Sequence, residues 1–209
     1  MADFLVAGVA GFIGASVAEM LLDQGYSVAG VDNLNRAYDV RMKNYRLQRL
    51  QGRAGFEFHL SDIADRATIQ EQRVYQQPYQ AIINLAARAG VRQSLVDPWI
   101  YVDANLTGTL NLLEVCRRQS IPKFILASTS SIYGANAPLP TPESADSDHP
   151  LQPYAASKKG AEAMCYAYHY LYGIDVTVVR YFTVYGPAGR PDMSMFRFTQ
   201  WISEGIPVR

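Results

Sequence analysis

Tyr154 and Lys158 stand four residues apart in "PYAASKKG" (153–160). On a helix that spacing puts two side chains on one face, about 5–6 Å apart at their Cβ atoms. A free phenol titrates near pH ~10, and a neighbouring ammonium favours the phenolate. The pair reads either as a general base primed for work near neutrality or as two surface residues of an amphipathic helix. Spacing alone does not separate the two, so the surrounding residues must. "STSSIYG" (128–134) crowds hydroxyls at the end of an apolar run. Such residues are turn formers, or, where the run opens on a crevice, groups that share a proton with a substrate alcohol. Thr129 is the one placed to do so, with Tyr154 as base.

"VAGVAGFIG" supplies Gly8-x-x-Gly11-x-x-Gly14 after a first apolar run and at the head of a helical stretch. Glycines at that place allow a tight turn and a close approach of backbone to a pyrophosphate, and the helix N-terminus stabilises the anion. The next apolar run ends in Asp32, where a carboxylate can hydrogen-bond an adenosine ribose and would repel a 2′-phosphate. Dinucleotide binding follows, with NAD preferred over NADP, although Arg36 and Arg41 stand nearby. Phe12 and Ile13 lie inside the glycine turn and Asn33 follows Asp32. Asp62 and Ile63 are placed to hold the adenine or, equally, to cap a helix. Leu85, Ala86 and Ala87 are small or apolar residues against which a cofactor can lie. Asn105 is either a buried structural amide or a cofactor ligand.

These residues need a scaffold. Short apolar runs at 3–8, 27–32, 56–61, 81–87, 123–129 and 175–182 alternate with helical stretches at 12–24, 39–51, 64–75, 98–119 and 154–172. Strands buried on both faces and separated by helices predict a parallel sheet. The fold class is α/β, a doubly wound parallel sheet (Rossmann fold) with its ligand crevice beyond the carboxyl ends of the strands. The proline-rich segment 135–153 is a long loop of the kind that is usually functional or disordered. The expected division is a dinucleotide-binding domain over 1–186 and, over 187–209, the start of a substrate-binding region that is largely absent.

Bulk properties exclude several classes. The 209 residues are 49% hydrophobic and 18% charged, with 19 basic and 19 acidic side chains. Zero net charge argues against a nucleic-acid or membrane-surface role carried by electrostatics. Cys116 and Cys165 have no metal-ligand spacing and read as free, buried thiols of a reducing compartment, the cytoplasm. The apolar stretch 4–22 approaches the length of a membrane span. Three glycines and Glu19 interrupt it, and it reads as strand, turn and helix instead. No metal is expected.

Taken together, "GVAGFIG", "DNLN", "NLAA", "STSSIYG", "YAASK" and "RYFTVYGP" resemble the extended short-chain dehydrogenase/reductases, across nearly the whole chain. "DNLNRAYDVRMKNYRL" (32–47), "AGVRQSLVDPWIYVDANLTGTLNLLE" (89–114) and "RYFTVYGPAGRPDMSMFRFT" (180–199) are most similar to the UDP-glucuronate 4-epimerases. The resemblance implies NAD, a catalytic set of Thr129, Tyr154 and Lys158, contact of Tyr181 with the cofactor, and a homodimer paired through helices 98–119 and 154–172. It also implies a 4-keto uronate, a β-keto acid that loses carbon dioxide unless its carboxylate is held out of alignment. A guanidinium suits that task because it grips a carboxylate through two parallel hydrogen bonds. Arg190 is the first candidate and Arg92 the second, with Ser130, Ser131 and Thr183 beside the sugar. Ala7, Asn84 and Ala188 depart from the family's usual threonine, histidine and tryptophan.

Overall fold

The computed structural model describes residues 2–208. Six strands, β1 (Phe4–Ala7), β2 (Val28–Asp32), β3 (Phe56–Leu60), β4 (Ala81–Asn84), β5 (Lys123–Thr129) and β6 (Asp175–Tyr181), form one sheet in the order β3-β2-β1-β4-β5-β6. Every pairing is parallel. The order reverses between β1 and β4, so the crevice opens above their carboxyl ends. Helices α1 (Phe12–Asp23), α2 (Val40–Leu50) and α3 (Arg66–Glu71) follow the first three strands. A long helical segment follows β4: α4 (Trp99–Tyr101), a π-helical turn (Val102–Thr107) and α5 (Gly108–Gln119). After it come α6 (Pro153–Tyr172) and α7 (Ser194–Ser203).

Alternation along the strands divides the core in two. Leu5, Ala7, Val31, Ile82, Phe124 and Leu126 face α5 and α6, packing on Leu112, Leu113, Ala161 and Cys165. Val6, Val28 and Ile83 face the other way, onto Ala15, Ala18, Leu22, Leu47 and Leu50 of α1 and α2. The central strands β1, β2 and β4 are buried on both faces, whereas the edge strands β3 and β6 are not. The expectation of strands buried on both faces therefore fails at the two edges, which lack a neighbour and full helical cover.

The stretch 4–22 is strand, turn and helix, and among the described residues no helix is long and apolar enough to cross a membrane. Cys116 and Cys165 are free and buried. Two helical stretches differ from expectation. Segment 64–75 shortens to α3 and a separate 3₁₀ turn, because Asp65 rather than Asp62 caps the helix through the Ala67 N–H. Segment 98–119 is interrupted by the π turn.

Candidate active site

The glycine turn is shaped by close contacts. Gly8 has φ +80°, and a Cβ there would lie 2.6 Å from the Ala86 nitrogen; a Cβ on Gly14 would lie 2.1 Å from the Gly8 oxygen. Only glycine fits either position. The Leu85 N–H donates to the Ala7 carbonyl, joining the ends of β1 and β4. Phe12 lays its ring beside Gly186, while Ile13 is half-buried and Ala87 exposed.

Asp32 organises the adjacent strand end. Its Oδ2 accepts the Ala10 N–H at 3.2 Å, and its Oδ1 accepts the Leu34 N–H at 2.8 Å. Lys43 lies 3.2 Å from Oδ1 in an ion pair that is almost wholly buried. Asn33 donates to Asp62 across 2.9 Å, bringing together two residues assigned to the cofactor. Ile63 is 6% exposed, and its side chain packs on Gly108 in the core. Arg41 grips Asp39 through two nitrogens, which leaves it engaged away from the ribose side of Asp32.

Asn105 sits in the π turn with 0% exposure. Its Oδ1 accepts the Arg88 N–H at 2.8 Å; its Nδ2 donates to the Arg88 carbonyl at 3.1 Å and to Ser157 Oγ at 2.9 Å. These bonds support its structural reading, and its Oδ1 keeps a second lone pair for a cofactor group. Ser157 donates in turn to the Tyr154 carbonyl, so Asn105 fixes the first turn of α6 against the end of β4. Asn84 is buried nearby and donates to Thr109 at 3.1 Å.

The candidate catalytic residues lie at the end of β5 and on α6. The register pairs Thr129 with Tyr181, at the ends of β5 and β6. Thr129 is 6% exposed and caps the 3₁₀ turn of Ser130 and Ser131 by accepting the Ser131 N–H. Burial pushes the Tyr154 phenol up from its ordinary value, while the Thr129 hydroxyl and the Arg190 guanidinium pull it down. The ring of Tyr101 stands edge-on to Tyr154, centroids 6.1 Å apart. Lys158 differs from expectation. Its ammonium is 1% exposed, has no hydrogen-bond partner among the described residues, and is pushed down to about 8 by burial. The Glu162 carboxylate, one turn further along α6, favours its charged form against that burial.

Arg190 lies near Tyr154 and holds Asp192 in a forked ion pair. Thr183 and Arg190 line a groove of about 530 Å³ with Val184, Tyr185, Met193 and Phe196. Arg92 is exposed on the loop before the 3₁₀ turn Gln93–Leu95 and makes no ion pair among the described residues. Among those residues no group of histidine, cysteine or carboxylate side chains could hold a metal.

Sequence reasoning missed Lys43 and Arg46. Both lie on α2 on the same face as Leu47 and Leu50, and both are buried. Two cations falling in register with an apolar stripe were the available signal.

A family model described as the NAD dependent epimerase/dehydratase family matches residues 4–208. The chain is 56% identical to a UDP-glucuronate 4-epimerase of Thermodesulfobacterium geofontis, over 100% of this chain and 64% of that protein. It is 45% identical to a probable UDP-glucuronate 4-epimerase of Rhizobium meliloti, over 98% of this chain and 60% of that one. Among solved structures, a UDP-glucuronic acid 4-epimerase from Bacillus cereus, in complex with UDP-glucuronic acid and NAD, superposes with a TM-score of 0.86 at 35% identity. That match covers 98% of this chain and 64% of the other. The chain thus spans somewhat under two thirds of the length of these relatives.

Proposed function

Because this chain belongs to the NAD-dependent epimerase/dehydratase family, we propose that it carries the cofactor site and catalytic groups of an enzyme that inverts carbon 4 of UDP-glucuronate, giving UDP-galacturonate. The observation that carries the reading is the half-buried Tyr154 on the first turn of α6, with the buried, unpartnered ammonium of Lys158 on the same helix and a glycine turn that has no room for a Cβ.

The residues present fit NAD. The backbone cradle at Gly8 and Ala86 has no room for a Cβ, Asp32 closes the ribose side, and the buried Lys158 ammonium lacks a partner that a ribose hydroxyl would provide. Gly8, Gly11, Phe12, Ile13 and Gly14 would hold the pyrophosphate, Asp32 and Asn33 the adenosine ribose, and Asp62 with the Ile63 backbone the adenine. Leu85, Ala86, Ala87 and Tyr181 would line the nicotinamide side. When bound, NAD supplies the acceptor and donor of the hydride that leaves and returns to carbon 4.

The chain's own groups do the rest. Tyr154 takes the proton from the 4-hydroxyl and gives it back, and Thr129 shares that proton through its hydroxyl. Lys158, once paired with a ribose hydroxyl, keeps its positive charge and favours the phenolate. Arg190 holds the sugar carboxylate, assisted by Ser130, Ser131 and Thr183, so that the bond to carbon 5 stays out of line with the ketone. Arg92 is the reserve candidate for that carboxylate. Residues 1–186 form the NAD-binding domain, and 187–209 begin a region that binds the nucleotide sugar.

A homodimer through helices 98–119 and 154–172 completes the reading, supported by exposed Trp99, Tyr166, Tyr170 and Leu171 on those helices. Light scattering at micromolar concentration should give twice the chain mass, and a monomeric mass would defeat the dimer. The two free thiols favour the cytoplasm. Incubation of the protein with UDP-glucuronate should yield UDP-galacturonate. Release of carbon dioxide and a UDP-pentose as the main products would make it a decarboxylase instead. Calorimetric uptake of NAD with no response to UDP-glucuronate would make it a silent binding module.

A further inference from the structure

We infer that Arg46 is a positioning residue: it locks the loop that bears Arg190 onto the glycine turn and so governs how the sugar carboxylate is held while carbon 4 is a ketone. This rests on the function proposed above and assigns to it a residue remote in sequence from the chemistry.

Arg46 lies on α2 and is 2% exposed. A guanidinium has five N–H donors, and here each has an acceptor. Nε and Nη2 donate to the Ala188 carbonyl at 2.9 and 2.8 Å, and Nη2 also donates to the Gly189 carbonyl at 3.0 Å. Nη1 donates to the Ala10 carbonyl at 3.2 Å and to the Tyr38 hydroxyl at 2.8 Å. Among the described residues no carboxylate pairs with it. Burying a cation without a counter-charge is expensive, so stability alone is a poor reason for this arrangement.

The bonded segments explain it better. Ala10 lies between Gly8 and Gly11, whereas Ala188 and Gly189 immediately precede Arg190. Ala188 has φ +55°, a left-handed conformation unusual for a residue with a Cβ, and its carbonyl takes two of the five bonds. Arg190 acts electrostatically on Tyr154, so a shift of the loop is a shift at the reacting centre.

The chemical consequence is selective. In a 4-keto uronate the C5–C6 bond breaks when it aligns with the ketone's π system. Its electron pair passes to C5 with the ketone as sink, carbon dioxide leaves, and a proton adds at C5 to give a 4-keto pentose. Loosening the loop therefore raises this loss relative to epimerisation, beyond slowing turnover.

The test uses protein made from the complete coding sequence, with saturating NAD. Arg46→Met should lower kcat about tenfold, as misplacement by a fraction of an ångström does, and raise the ratio of carbon dioxide to UDP-galacturonate by about tenfold or more. Arg46→Lys keeps the charge but cannot fork to three carbonyls, and should give an intermediate ratio. It also serves if the methionine variant fails to fold. NAD affinity and Tm are measured alongside, because a merely structural role would move them and leave the product ratio unchanged. An unchanged ratio in the folded variants, or a wild-type ratio in Arg46→Lys, overturns the inference while leaving epimerisation intact. A wild-type protein that makes no UDP-galacturonate defeats the proposed function first.

Discussion

Above the ends of β1, β2 and β4, polar side chains are engaged with the protein itself: Asp32 with Ala10, Leu34 and Lys43, Asn105 with Arg88 and Ser157, Asn84 with Thr109. Beyond β6 the chain behaves differently. Phe182, Tyr185, Met195 and Ile202 are exposed, and α7 buries none of its residues despite a clear apolar face. The first region is preorganised by buried hydrogen bonds before any ligand arrives. The second is attached to it through backbone carbonyls held by Arg46, and gains cover only from what it meets. The dinucleotide half is thus held by buried hydrogen bonds, while the segment after β6 leaves an apolar face exposed among the described residues.

Substitutions can break or sharpen that contrast. Tyr154→Phe removes the proposed proton carrier and should lower kcat by roughly 10²–10⁴-fold with NAD affinity retained. Turnover within threefold of wild type would show that the base lies elsewhere. Gly14→Ala drives a Cβ into the Gly8 carbonyl and should destabilise the fold by roughly 2–3 kcal/mol in denaturant titration. Gly205→Ala, at φ +66° with open space around it, should cost only roughly 1 kcal/mol. Equal effects at the two glycines would erase the difference between the halves.

Lys158→Met should abolish activity yet stabilise the free protein by roughly 1–3 kcal/mol at neutral pH, because it removes a buried donor without a partner. The sign follows from the depressed value of about 8 against the usual 10.5. Between those values the unfolded chain binds more protons, so wild-type stability rises with pH there. The variant's advantage is then largest below pH 8 and fades toward 10.5. Chemical denaturation across that range checks it, and an advantage that grows with pH would refute the assignment. Smallest of all, Ile202→Ser, at a position 71% exposed, should shift stability by less than about 0.5 kcal/mol. A large drop in Tm would mean that α7 is already packed against something.

Much of the dinucleotide half was legible in the sequence because its constraints are local. A glycine triplet, an apolar run and a terminal carboxylate can each be recognised within a few residues, and the strands emerged as uninterrupted apolar runs. What escaped depends on distance. Arg46 reads as a solvated cation until Ala188, far along the chain, supplies its acceptors. That Lys158 is wholly buried with no hydrogen-bond partner among the described residues was likewise not readable from its spacing to Tyr154, because burial depends on what other elements pack over it. The same limit applied to Asn105, whose partners sit on two other elements.

The wide turn at Val102–Thr107 has a consequence for how this gene can drift. A π turn amounts to one residue inserted into an α-helix. The extra residue is taken up within the turn, so deleting one of those six would restore regular winding while Leu112 and Leu113 keep their place in the core. What would be lost is the wide turn that sets Asn105 against Arg88 and Ser157. Here point substitutions at the exposed Asp103 should pass unnoticed, while single-codon deletions beside it should be purged. The helix tolerates spelling changes and forbids a change of length.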